Sequence, residues 1–89
     1  MSGVGPVLEA SLVGHAVATA LRERNPGCHI LDRGAYLRVS CEHVCVLERA
    51  HVEALLGEPF ELPGALEQVM PSFAGRLELD SDTVVWRGA

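Results

Sequence analysis

Apolar and polar residues recur along this chain with two different periods, which predict short strands and helices. In Ala35–Cys41 every second residue is apolar, as expected for a β-strand with one buried face. From Leu12 to Leu21 the apolar residues recur with the spacing of an amphipathic helix, and Ser11 is its expected N-cap. This helix is expected to end at Asn25-Pro26-Gly27, because proline cannot continue it.

The same patterns predict the remaining elements. Further strands are expected at Val4–Leu8, Cys28–Asp32, Val44–Leu47, Arg76–Asp80 and Thr83–Trp86. A second helix is expected to begin at Arg49, with Gly57 as the C′ residue after its end, and a third short helix is expected before Pro71. The first strand is expected at a sheet edge because it contains Pro6. The strand at Val44–Leu47 is expected to form a hairpin with the strand before it, and Ser72–Gly75 is expected to be a loop.

The predicted order is β-α-β-β-β-α-α-β-β. Because strands and helices are segregated, the fold class is expected to be α+β: a compact single-domain sandwich of mostly antiparallel strands with three helices. A length of 89 residues fits one domain, residues 1–89. Aromatic residues make up only 4% of the chain, so the core must consist mainly of aliphatic side chains. Trp86 is also expected in the core, with a hydrogen-bond partner for its indole N–H.

Charge and hydropathy narrow the choice of partner. The net charge is −5 and all seven basic residues are arginine. Binding to the phosphate backbone needs clustered positive charge, so we do not expect nucleic acid as a partner. Four arginines lie between Arg22 and Arg38, whereas nine acids lie between Glu42 and Asp82. The acidic segment from Glu42 to Asp82 favours a partner with a basic protein surface. The alternative is that these acids only keep the protein soluble. No apolar stretch is long enough for a transmembrane helix and no signal peptide is evident, so no membrane contact and a cytoplasmic location are expected.

The residue types that carry chemistry do not form an expected catalytic or metal site. No two of the four histidines have the helical spacing of a zinc site, and no further Cys or His pair completes Cys41-x-x-x-Cys45. A disulfide between these two cysteines would require distortion of the predicted hairpin. The motifs of nucleophile elbows and of phosphate-binding loops are also missing. We therefore expect a binding protein without catalytic residues, metal or cofactor.

Several short motifs occur in a fixed order along nearly the whole chain: Val4-Gly5-Pro6, Asn25-Pro26-Gly27, Asp32-Arg33-x-Ala35-Tyr36-x-Arg38-Val39, Leu47-x-Arg49-x-x-Val52-Glu53-x-x-Leu56-Gly57-x-Pro59-Phe60, Leu66-Glu67 and Ser72-Phe73-Ala74-Gly75-Arg76. As an ordered set they resemble the effector proteins (also called coupling or regulatory proteins) of soluble diiron multicomponent monooxygenases. The first and last motifs look nearest to the toluene monooxygenase branch.

This resemblance implies a cofactor-free component that docks on the diiron hydroxylase of a toluene, aromatic or alkene monooxygenase. Docking by such proteins tunes the coupling, rate and regioselectivity of hydroxylation. By matching the family's motifs, the resemblance also implies a set of partner-binding residues: Val4, Gly5, Pro6, Asn25, Pro26, Ser72, Phe73 and Gly75. For Asn25, a simple helix stop is the alternative, and Phe73 is as well explained as a core residue.

Tyr36 and Arg38 are added to the partner-binding residues because they share the outward face of one predicted strand. Tyrosine and arginine are frequent interface hot spots, although these two could simply cover the sheet. Two other functions remain open. A carrier of small hydrophobic ligands would need a cavity of roughly 300 Å³. A thiol- or isomerase-type enzyme would need an activated cysteine or an acid–base pair.

Overall fold

The structure, a computed structural model, describes residues 3–88 and contains two antiparallel sheets and three helices. Its strands are β1 (Gly5–Glu9), β2 (His29–Asp32), β3 (Tyr36–Ser40), β4 (Val44–Glu48), β5 (Ser72–Ala74), β6 (Arg76–Leu79) and β7 (Thr83–Arg87). The helices are α1 (Leu12–Arg24), α2 (Arg49–Leu56) and α3 (Gly64–Glu67). The predicted α+β fold and element order are confirmed, and β5 is an additional short strand where a loop was expected.

The first sheet has the strand order β2-β3-β1-β5, so β1 lies inside the sheet and not at its edge. Pro6 is tolerated there because the β1–β3 ladder is interrupted at its position and resumes at the bridge between Val4 and Cys41. Gly5 also fits this interruption, since a Cβ atom on it would lie 2.5 Å from the carbonyl oxygen of Val39. The prediction of an edge strand is therefore wrong.

The second sheet has the order β4-β7-β6, which separates β4 from β3 and shows that the predicted β3–β4 hairpin is wrong. Cys41 still belongs to the first sheet, because it exchanges two backbone hydrogen bonds with Val4 at 2.7 and 2.8 Å. Glu42 and His43 then carry the chain across, and β4 pairs along its whole length with β7. Glu42-His43 lacks the residues that stabilise a tight hairpin turn, and β4 pairs with β7 instead of with β3.

Helix α1 follows the sequence prediction closely. The Ser11 side chain accepts a hydrogen bond from the backbone N–H of Gly14 at 3.1 Å, as an N-cap should. Val17 and Leu21 are buried against the sheets. Leu12 is the exception to the predicted apolar stripe, because it is 81% exposed at the first position of the helix.

A single hydrophobic core fills the space between α1 and the inner faces of both sheets. Leu8, Leu37 and Val39 line it from the first sheet, and Leu47 and Trp86 line it from the second. Trp86 is fully buried as predicted, but among residues 3–88 its indole Nε1 has no hydrogen-bond partner, although a partner was expected.

Candidate docking surface

The outer side of the first sheet carries a row of side chains from all four strands. Leu31, Arg38, Val7 and Ser72 are successive register partners, and directly paired residues project on the same side of a sheet. Alternation along the strands adds the neighbouring positions. We call this surface the β-face and define it by Val7, Glu9, His29, Leu31, Tyr36, Arg38, Ser40 and Ser72.

The β-face is open to solvent at its centre. Leu31 and Tyr36 are 49% and 46% exposed, and Arg38 is exposed beside them. Their neighbours along each strand, Ile30 and Leu37, turn toward the core instead. Three of the residues predicted to bind a partner (Tyr36, Arg38 and Ser72) therefore lie together on one accessible face. Leu31 was not among the predicted partner-binding residues. It follows Ile30 in the predicted strand Cys28–Asp32, and because adjacent residues of a strand face opposite sides, this position was the signal that could have found it.

Two depressions border the β-face and bring other predicted residues near it. One has a volume of about 470 Å³ and is lined by Pro26 together with His29 and Ser40. The other, of about 170 Å³, is lined by Phe73 together with Arg38 and Ser72. Phe73 is the register partner of Pro6, so it projects on the opposite side of the edge strand, where it is 42% exposed.

Four of the residues predicted to bind a partner are buried: Val4, Gly5, Pro6 and Asn25. Gly5 and Pro6 shape the interruption in the β1–β3 ladder, and Val4 forms the bridge that ends it. Gly75 is exposed, but its φ of +101° and its close approach to the carbonyl oxygen of Arg87 give it a structural role between the two sheets. In the free protein these residues support the surface and do not form it.

Asn25 uses its side-chain amide inside the molecule. Its Nδ2 donates to the carbonyl oxygens of Leu21 at 2.8 Å and Val46 at 2.9 Å, and its Oδ1 accepts from the N–H of Val46 at 2.9 Å. Both amide hydrogens are thus occupied, and the residue is only 8% exposed. This geometry favours the alternative of a structural role at the helix end.

The three thiols form a cluster that is unsuited to nucleophilic chemistry. Cys41 Sγ lies 2.7 Å from Cys45 Sγ, and both residues are buried. Burial, reinforced by the hydrogen bond with Cys41, raises the pKa of Cys28 to about 12. The hydrogen bond with Cys45 and then burial raise the pKa of Cys41 as well. Because the thiolate is the reactive form, Cys28 and Cys41 are held in their unreactive state.

Neither metal-site geometry nor a membrane span was found in the part of the chain that the structure describes. Within residues 3–88 no group of three or more His, Cys, Asp or Glu side chains is arranged to hold a metal ion. No helix in this range is long and apolar enough to cross a membrane.

The sequence profile of the MmoB/DmpM family matches residues 2–87. The chain belongs to this family. A similar family member is the effector subunit of the alkene monooxygenase system of Xanthobacter autotrophicus strain Py2. It is 39% identical over 85 residues, which cover 93% of this chain and 83% of that protein. Membership of the MmoB/DmpM family confirms the resemblance to monooxygenase effector proteins and the prediction of a regulatory, non-catalytic component.

Solved structures support the fold of this MmoB/DmpM family member. A chain from a phenol hydroxylase–regulatory protein complex superposes with a TM-score of 0.86 at 23% identity, covering 97% of this chain and 98% of that one. A chain from a second structure of such a complex gives a TM-score of 0.75 at 25% identity, with 90% and 94% covered. The architecture is therefore shared over nearly the whole chain.

Proposed function

We propose that this protein is the effector component of a multicomponent monooxygenase and docks on the diiron hydroxylase of that system. The observation that carries the proposal is the 39% identity, across 93% of the chain, to an alkene monooxygenase effector subunit. The substrate is an alkene or an aromatic hydrocarbon, and the site of action is the cytoplasm. Residues 1–89 act as one effector domain without cofactor or metal of their own.

The chemistry of the protein fits this role. Raised pKa values keep the thiols of Cys28 and Cys41 protonated, and the exposed features are a sheet face with tyrosine, leucine and arginine. An effector needs only such a surface, because it acts by binding one conformation of its partner more tightly than another. A tenfold shift between two hydroxylase conformations requires a difference in binding free energy of about 1.4 kcal/mol.

Reconstitution of the cognate system tests the proposal. Hydroxylase and reductase are assayed for product formed per NADH consumed, with increasing amounts of the purified protein. We expect the ratio or the rate to rise and then saturate as the hydroxylase is occupied, with a changed distribution of products. An unrelated acidic protein of similar size serves as the control. An unchanged rate, coupling ratio and product distribution would disprove the effector role.

A further inference from the structure

The arginines of this protein fall into two groups that differ in their partners. Four of the seven form ion pairs with carboxylates: Arg24 with Glu48, Arg49 with Glu53 and Asp82, and Arg76 and Arg87 with Glu78. Within the described range 3–88, Arg22, Arg33 and Arg38 form no ion pair. These three come from one segment of the chain, and two of them belong to the β2–β3 hairpin, Arg33 in its turn and Arg38 on the β-face.

Arg33 and Arg38 form no ion pair within residues 3–88, although the chain has twelve acidic residues and a net charge of −5. Asp32 directly precedes Arg33, but its carboxylate accepts a hydrogen bond from the N–H of Gly34 at 2.8 Å and so stabilises the turn. Glu9 is the register partner of Tyr36, not of Arg38. The register partners of Arg38 are the apolar residues Val7 and Leu31.

Arg38 thus forms no ion pair within residues 3–88, and its two direct register partners are apolar. Leu31 lies directly opposite it on β2, and Tyr36 lies two residues away on the same side of β3. Exposed leucine and tyrosine side chains around an arginine are costly to leave in water, and aromatic residues with arginine are typical of the desolvated centre of an interface. An ion pair formed there gains strength, since partner contact removes water from around it.

The size of the β-face fits the centre of such an interface. Four strands of three to five residues, at a spacing of about 4.8 Å, give a patch of about 280 Å². A standard interface buries about 800 Å² on each partner. The β-face therefore supplies the middle of the contact, and the depressions that border it at Pro26 and at Ser72 are placed to supply part of the rest.

We infer that the hydroxylase component docks on the β-face, with an apolar surface against Leu31 and Tyr36 and a carboxylate that pairs with Arg38. This inference rests on the proposed function, because it takes the hydroxylase as the occupant. Arginine suits the role, since its planar guanidinium can bind both oxygens of a carboxylate. Arg33, in the adjoining turn, adds positive charge that steers the partner toward this side of the acidic protein.

Affinity measurements with the cognate hydroxylase test the docking face. The variants are Arg38→Glu and Tyr36→Ala, and the matched control is Arg76→Glu. Arg76 is exposed on β6 of the other sheet, and its partner Glu78 keeps Arg87. Circular dichroism and thermal unfolding verify that each variant is folded. We expect Arg38→Glu and Tyr36→Ala each to weaken binding by about tenfold or more, with little change for Arg76→Glu.

Salt dependence and a conservative variant add a second line of evidence. Binding of the natural protein should weaken as salt rises, and the association rate should fall most. Arg38→Lys should bind with intermediate affinity, because lysine keeps the charge but not the two-pronged geometry.

The outcomes separate this inference from the proposed function. If the natural protein improves coupling but Arg38→Glu and Tyr36→Ala bind as tightly as it does, the β-face is not the docking site and the effector role stands. Equal weakening by Arg38→Glu and Arg76→Glu would also overturn the inference, because it would show only a general effect of charge. If the natural protein has no effect on the hydroxylase, the proposed function itself fails.

Discussion

Asn25 shows how one side chain can serve the fold at a position where a partner contact was expected. Its amide caps the end of α1 through the carbonyl of Leu21 and also binds both backbone groups of Val46 in β4. It therefore joins the helix to the middle of a strand in the second sheet. A backbone hydrogen-bond donor and acceptor of Val46 depend on it.

We expect Asn25→Ala to lower the free energy of unfolding by about 2–4 kcal/mol, since it leaves the partly buried N–H and carbonyl of Val46 unpaired and removes a buried bond to Leu21. Urea denaturation measures this change. Arg22→Ala, at an exposed and unpaired position on the same helix, is the control and should stay within about 0.5 kcal/mol of the natural protein. If Asn25→Ala kept its stability and lost hydroxylase binding, the amide would be a partner contact after all.

At the scale of elements, α2 is anchored by a network of side chains at its first turn. The helix follows β4 directly and has no side-chain N-cap. Instead, the guanidinium of Arg49 binds Glu53 at 2.8 Å and Asp82 at 2.9 Å. Glu53 also accepts a hydrogen bond from the N–H of Phe60 at 2.9 Å. The network thus ties α2 to the β6–β7 turn and to the connector that places Phe60 in the core.

The charge of Glu53 is stabilised by this network. The hydrogen bond from Phe60, followed by the contact with Arg49, holds the pKa of Glu53 below its ordinary value of 4.5. A carboxylate with a lowered pKa in the folded state contributes stability above its unfolded pKa, and this contribution is lost as the pH falls through the folded pKa. Part of the acid sensitivity of the protein should therefore come from this residue.

We expect Glu53→Gln to lower the melting temperature at neutral pH and to reduce its dependence on pH below about 4.5. Thermal unfolding at several pH values between neutral and strongly acidic provides the measurement. Glu58→Gln is the matched control, because Glu58 is exposed and makes no ion pair among the described residues. A pH profile of Glu53→Gln that parallels the natural one would show that the network does not stabilise α2.

At the scale of the whole molecule, the two sheets meet where Cys41 and Cys45 lie in contact. Cys41 is bridged to Val4 at the end of the first sheet, and Cys45 pairs with Trp86 in the second. These two cysteines were expected at two positions of one hairpin, and that expectation is wrong because β3 and β4 belong to different sheets. The cysteines are neighbours because two sheets pack together at this point.

This position makes the thiols a probe of the intact fold. At about pH 8 a thiol reagent should modify the folded protein slowly, because Cys41 and Cys45 are buried and the raised pKa values of Cys28 and Cys41 keep those two thiols protonated. Cys28 is only partly buried and should react before Cys41 and Cys45. Mass spectrometry after alkylation, with and without denaturant, identifies the order. Rapid modification of Cys45 in the folded protein would show that the two sheets separate readily.

Most elements were predictable because their signals are local. The alternation in β3 correctly placed Leu37 and Val39 inside and Tyr36 and Arg38 outside. The interpretation of β4 as the hairpin partner of β3 failed because period and composition describe how a strand faces the core, not which strand it pairs with. Pairing depends on competition among all available edges.

The sequence alone determined the order of the elements, the membership of the effector family and the chain's lack of recognisable catalytic motifs. These follow from residue types and spacings along the chain. Only the tertiary structure decided that the Asn25 amide turns inward, and that Leu31, Arg38 and Ser72 lie side by side on one exposed face. The reason is physical: strand register and burial are set by contacts between segments distant in the chain, which local patterns do not encode.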